Sequence, residues 1–179
     1  MSIIGTNFDK GLSVYGQPIV PFDFPGKHFF VDSVNGLDSN SGKDWKHAKK
    51  SVYGTAGGYS LLTTGNNDVL HVVGNATAYS NTAVGTWAKD FCHMVGHTAP
   101  IYTGGRVRFT NTITTATAGE FVFTGTGCVF ANCQWQWGAS ATATSVVGAA
   151  LSGSGRNAFI NCAFAGPTNA TVAGGTAIR

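Results

Sequence analysis

The sequence predicts an all-β fold: a right-handed parallel β-helix carrying an extended N-terminal arm. Three observations lead there. Short apolar runs bounded by Gly, Ser, Thr and Asn recur along the chain, and no segment after residue 65 has a helical period. The hexapeptides FANCQW (130–135) and FINCAF (159–164) repeat Phe, Asn and Cys at matching places, and self-similarity at such a spacing marks stacked repeats. Only 11% of residues are charged, against roughly a quarter in ordinary soluble domains. Ser, Thr, Asn and Gly take the place of charge, which suits stacked strands with short turns. A β-sandwich, which also has short strands and Gly turns, is the alternative architecture.

Residues 1–27 form the first unit. Pro18, Pro21 and Pro25 prevent a helix there, and Gly5, Gly11, Gly16 and Gly26 interrupt any other regular element. Between them lie Ile3, Ile4, Phe8, Leu12, Val14, Tyr15, Ile19, Val20, Phe22 and Phe24. A stretch this apolar, unable to fold alone, must lie against something else, so it reads as an attachment or oligomerisation arm. Residues 28–65 form a cap. The strand HFFVD leads into turns at Asn35-Gly36 and Asn40-Ser41-Gly42, and HAKKSVYGTAGGYSLLT reads as a short helix or irregular cap. Residues 66–179 are the stack, with strands in NDVLHVVGN, DFCHMVGH, RVRFTNTIT, EFVFTG, CVFANCQWQW and NAFINCAF.

Stacking explains the repeat. In a parallel β-helix each side chain sits above its counterpart in the previous circuit, at about 4.8 Å. Phe109, Phe130 and Phe159 then stack inside, and Asn111, Asn132 and Asn161 stack at a turn with their amides bonded along the ladder. Cys133 and Cys162 follow the last two Asn residues and suit the interior. The segment ASATATSVVGAALSGSG projects as an inserted loop. No polar cap is visible at GGTAIR, so another subunit covers this end or the natural chain continues beyond Arg179.

The chemistry-bearing residues point away from catalysis. Glycoside cleavage needs a pair of carboxylates, yet only Glu120 lies beyond residue 90. Asp32, Asp38 and Asp44 with Asn35 and Asn40 lack calcium-loop spacing and read as turn chemistry. His93 and His97 have metal-ligand spacing only on a helix, and Gly96 lies between them. The four Cys form no CxxC pair and read as buried free thiols of a reducing compartment. TGTGC (124–128) lacks the Lys of a phosphate loop, and no GxSxG occurs. Lys43, Lys46, Lys49 and Lys50 read as a solvated face, without the aromatic interleaving of a nucleic-acid patch. The N-terminus has no signal-peptide pattern, and no apolar run is long enough to span a membrane, so synthesis in a cytoplasm is expected. No catalytic residue, metal or cofactor is expected. Trp135 and Trp137 alternate on one strand face and offer a hydrophobic face, a subunit contact or a sugar-stacking platform.

From about Leu12 to its end the chain resembles a group of β-helical proteins of tailed bacteriophages. The resemblance lies in VYGQPIVP, in FFVDSVNGLDSNSGKDWKHAKKSV and in GCVFANCQWQWG followed by GRNAFINCAFAG. Members are similar to trimeric tailspikes, and some decorate or stabilise the capsid beside the major capsid protein. The resemblance implies a homotrimer on the outer surface of the virion's capsid, made in the bacterial host cytoplasm. It implies the major capsid protein as partner, with neither nucleic acid nor membrane involved. The alternative it leaves is a tail spike or fibre binding a host glycan, with a free-standing polysaccharide enzyme third. The acidic pair of enzymatic tailspikes is missing.

Overall fold

The computed structural model describes residues 13–14, 17–18, 24–98, 105–111, 121–136, 147–151, 155–165 and 176–178. Within the arm, β1 (Ser13–Val14) and β2 (Gln17–Pro18) pair antiparallel as a small hairpin. Ile3, Ile4, Phe8, Leu12, Tyr15, Ile19, Val20 and Phe22 lie outside the described residues, as does Trp137.

The remaining strands form three parallel sheets visited in rotation. The first contains β3 (His28–Val31), β4 (Val69–Val73), β7 (His93–His97), β10 (Val129–Ala131) and β13 (Ala158–Ile160), side by side in that order. The second contains β5 (Tyr79–Asn81), β8 (Val107–Asn111), β11 (Cys133–Gln136) and β14 (Ala163–Ala165). The third contains β6 (Gly85–Trp87), β9 (Phe121–Phe123), β12 (Val147–Ala150) and β15 (Thr176–Ile178). From β4 onward each circuit of the chain adds one strand to every sheet, whereas β3 is followed by the cap segment. The cap segment contributes two 3-10 turns, Trp45–His47 and Gly58–Leu61, rather than an α-helix. Its three glycines near residue 57 and its Asp44 N-cap favour short turns over a long helix.

Strand periodicity decides what faces inward. On β8, Val107, Phe109 and Asn111 are buried while Arg108 is exposed. On β11, Cys133 and Trp135 are buried between less buried Gln134 and Gln136. The sheets are closed on one another by aromatic rings. Phe130 stacks on Phe159 at 4.9 Å and Trp135 stacks on Phe164 at 5.2 Å. Phe123, from the third sheet, meets Phe130, Trp135 and Phe159 edge-on at 5.0, 5.2 and 5.5 Å. Edge-to-face pairs of this kind add about 0.5–1.5 kcal/mol each beyond area burial.

The FxNC repeat is a corner. Phe130 and Phe159 point inward, and Asn132 and Asn161 adopt left-handed backbone with φ of 56° and 49°. The chain there leaves the first sheet for the second. Asn161 Nδ2 donates to Asn132 Oδ1 at 2.8 Å, and Asn132 Nδ2 donates to Gly96 O at 3.3 Å, so the expected amide ladder forms. Three points differ from the sequence reading. ASATATSVVGAALSGSG is not simply an inserted loop, because it carries β12, which pairs with β9 in the third sheet. CVFANCQWQW is not one strand but two, because Asn132 breaks it. Phe109 and Asn111 do not join the ladder: Phe109 sits on the second sheet beside Trp135 and Tyr79, and Asn111 pairs with Asn81. The strand exit of β8 resembles the corner only in its three letters.

A second corner precedes the first sheet. Asn67, Phe91, Gly127 and Arg156 all have positive φ, and the sheet register places them one above another. Asn tolerates this conformation better than other side chains. Replacing Asn132 with Ala removes both amide contacts and adds a left-handed penalty. It is expected to cost about 2 kcal/mol in urea unfolding, with Asn132→Gly recovering the conformational part. Equal loss in both variants would sink this account of the corner.

Candidate functional site

The carboxylates of the cap and stack serve the backbone. Asp32 accepts from Val34 N at 2.9 Å and from Asn35 Nδ2 at 2.9 Å. Asp38 accepts from Ser51 N and Ser51 Oγ, both at 2.8 Å. Asp44 caps the first 3-10 turn through His47 N at 2.8 Å. Asp68 is fully buried and accepts from Lys27 N and Thr63 N at 2.8 Å and Asn66 Nδ2 at 2.7 Å. Burial acts to raise the Asp32, Asp38 and Asp68 carboxyls, but these hydrogen bonds outweigh it and hold all three below their ordinary value. Turn chemistry thus accounts for the Asp and Asn residues of this segment. Lys49 departs from the solvated face expected of the lysine group: it is buried and donates to Asp38 O at 2.6 Å.

A chain of imidazoles runs across the outer side of the first sheet. His28 Nδ1 and His71 Nε2 are 2.7 Å apart, and His71 Nδ1 and His97 Nε2 are 2.8 Å apart. The Trp45 ring lies edge-on to His71 and His97, and Phe30 stacks on His71 at 5.1 Å. Burial lowers His71 to about 4, helped by its two imidazole neighbours, and burial alone lowers His97. His93 lies elsewhere on the same face, where Phe24 of the arm stacks on it at 3.9 Å. Burial lowers His93 to about 4. Four residues of strand separate His93 and His97 by roughly 13 Å, so they share no site. Among the described residues, no group of three or more His, Cys, Asp or Glu is arranged to hold a metal ion.

Trp135 corrects a sequence expectation. It is wholly inside, packed between Phe109 at 5.9 Å and Phe164 at 5.2 Å, and presents nothing to a sugar or a second subunit. Its indole N–H and the buried Tyr53 hydroxyl both lack a hydrogen-bond partner among the described residues. Alternation placed Trp135 in a strand, as β11 shows, but not which face of it pointed inward.

The concave surface lies elsewhere. A cleft of about 530 Å³ runs between the cap and β5, lined by Ser33, Lys50, Tyr53, Tyr79, Asn81 and Thr82 among others. A second hollow of about 590 Å³ shares Tyr53, Gly54 and Val84 with it and adds Tyr59 and Lys89. Tyr79 donates its hydroxyl to Val73 O at 2.8 Å, and Lys89 donates to Tyr59 O at 3.0 Å, so both walls are held rigidly. Sequence reading missed this cleft because its residues come from the cap and from β5, a strand of three polar or aromatic residues without an apolar run. Comparison with known proteins adds no relative: no protein-family model, no curated protein and no solved structure matches this chain.

Proposed function

We propose that the three sheets form a right-handed parallel β-helix and that the chain is a structural virion protein. In this reading it decorates and stabilises a tailed-phage capsid. The N-terminal arm, residues 1–27, lies on the lattice of the major capsid protein, and three copies associate as a homotrimer on the outer capsid surface. Parallel strands joined by crossovers take the right-handed sense in about 98% of cases, which supports the handedness. The observation that carries the functional reading is how the titratable groups are used. Asp32, Asp38, Asp44 and Asp68 bond backbone N–H groups, His28, His71 and His97 bond one another, and the wall that remains is rigid and poor in charge. Phe24, at the root of the apolar arm, is anchored on that wall through His93. The reading assigns no catalytic step and no cofactor to the chain.

Deleting residues 2–20 is expected to abolish binding to heads while the β-sheet circular dichroism of the remaining chain is kept. Quantifying the protein against the major capsid protein in purified virions gives the second readout. A copy number comparable with that of the shell subunit is expected. A few copies that leave with detached tails, or full head occupancy by the deleted chain, would overturn the proposal.

The cleft beside Tyr53 favours a second reading, a tail spike or fibre that binds a host glycan. Its volume lies within the range of small-molecule sites, and its lining mixes hydroxyl, amide and aromatic groups. A glycan-array signal lost in a Ser80→Ala, Thr82→Ala variant would support this reading, and a silent array would count against it.

A further inference from the structure

Two cysteine pairs face each other across successive circuits. Ala131 pairs with Ile160 and Gln134 pairs with Ala163, so the register between them sets Cys133 opposite Cys162. The Asn161–Asn132 amide bond, one residue earlier, fixes that register. Neighbouring strands lie about 4.8 Å apart, within the Cα separation of roughly 4.4–6.8 Å that a disulfide spans. The same register logic sets Cys92 opposite Cys128, because Met94 pairs with Phe130.

The two pairs differ in surroundings. Cys92 and Cys128 are both fully buried, and their thiols donate to Thr63 O at 3.4 Å and Lys89 O at 3.3 Å. Burial pushes Cys92 up to about 12 and raises Cys128 as well. Cys133 is fully buried too, but Cys162 is only partly so. Arg106 stands beside Cys162, its guanidinium held by Asn161 O at 2.8 Å and Asn161 Oδ1 at 3.0 Å. The Cys133 side chain opposite it and the Arg106 charge both favour the Cys162 thiolate, whereas burial raises Cys133. The Cys133 thiol donates to Ala131 O at 3.2 Å and the Cys162 thiol to Phe130 O at 3.3 Å. A partly exposed sulfur beside a cation, with a protonated thiol behind it, is the arrangement of an attacking and a resolving cysteine.

We propose that Cys133 and Cys162 are a redox-modification site, which a low-molecular-weight disulfide converts into a bridge that staples two successive circuits, while Cys92 and Cys128 stay thiols. The Cys162 thiolate attacks one sulfur of the reagent. The reagent S–S bond breaks, a mixed disulfide forms on Cys162, and the first reagent thiolate leaves and takes up a proton. Cys133, giving up its own proton, then attacks the Cys162 sulfur and expels the second reagent thiol. Two protein thiols are oxidised and one reagent disulfide is reduced to two thiols.

The test exposes the folded full chain to oxidised glutathione, quenches with acid, alkylates the remaining thiols after unfolding and maps the peptides by mass. The expected result is loss of two of the four alkylatable thiols, loss of two hydrogens in mass, and a cross-linked peptide pair containing Cys133 and Cys162. Cys133→Ser should stop at a glutathione adduct on Cys162, and Cys162→Ser should keep its three thiols free. A bridge between any other pair, an adduct on Cys133 in the Cys162→Ser variant, or four free thiols under conditions that oxidise dithiothreitol would overturn the proposal. Where Cys133→Ser, a substitution at a fully buried position, does not fold, the wild-type map alone decides.

Discussion

Replacing Trp135 with Ala is expected to lower the free energy of unfolding by about 3–5 kcal/mol, which is a large share of the roughly 5–15 kcal/mol of a typical domain. The ring is fully buried and stacks between Phe109 on one circuit and Phe164 on the next. It also receives edges from Phe123, Phe130 and Phe159, so one truncation opens a cavity where all three sheets meet. Those neighbours are held by strand pairing and cannot collapse into the void. Trp135→Phe is expected to cost much less, because it keeps an aromatic ring and gives up an indole N–H that closes no hydrogen bond. Urea unfolding of both variants checks this. Equal and small losses would mean that the ring is not at the centre of the packing. The same result bears on function, since any loss of glycan or partner binding by Trp135→Ala would then reflect unfolding rather than a lost contact.

Acid should destabilise the protein in two stages. His71 and His93 stay neutral in the folded state until about pH 4, because burial opposes their charging, whereas the unfolded chain takes up these protons from about pH 6.5. Between those values the unfolded state binds more protons, so stability falls as pH falls. Asp32, Asp38, Asp44 and Asp68 act lower. At Asp44 the His47 hydrogen bonds lower the carboxyl, and at the other three the hydrogen bonds outweigh burial. Their stabilisation is fully present above the ordinary value of 3.8 and is lost as pH falls through the lowered folded values. Asp68 matters most, since it is buried and holds the arm-proximal Lys27 N–H, the Thr63 N–H and the Asn66 amide together. Asp68→Ala is expected to cost about 2–4 kcal/mol near neutral pH and to flatten the lower acid stage. Unfolding midpoints followed from neutral pH to about pH 2 test both stages. A curve that stays level between pH 6.5 and pH 4 would contradict the neutral, buried histidines.

Much of this was legible in the chain itself. The paired FANC and FINC segments placed Phe inside, Asn at a bend and Cys inside, and the structure places Phe130, Asn132 and Cys133 in those roles. The strands in NDVLHVVGN and DFCHMVGH were readable because their apolar residues run together. β5 and β6 were not, since Tyr79–Asn81 and Gly85–Trp87 are too short to show a period. Phe109-Thr110-Asn111 misled because three letters cannot distinguish a corner from the end of a strand. The cleft and the imidazole chain were invisible for another reason. Their members lie far apart in sequence, as His28 and His71 do, and only strand register brings them to 2.7 Å.

The sequence by itself determined that the chain is built of short strands and turns, that its carboxylates belong mainly to turns, and that Asn recurs where the backbone must bend. These are local properties, set by side-chain periodicity, by the preference of Asn for left-handed backbone and by the bonding of Asp to nearby N–H groups. Tertiary structure decided the rest: that Trp135 faces the core, that Lys49 is buried, that three histidines are hydrogen-bonded in a row across strands, and that Cys133 lies opposite Cys162. Those outcomes depend on the register between strands many residues apart. A shift of one position would send each of these side chains to the other face, and that register is fixed only when the aromatic interior closes around Phe123 and Trp135.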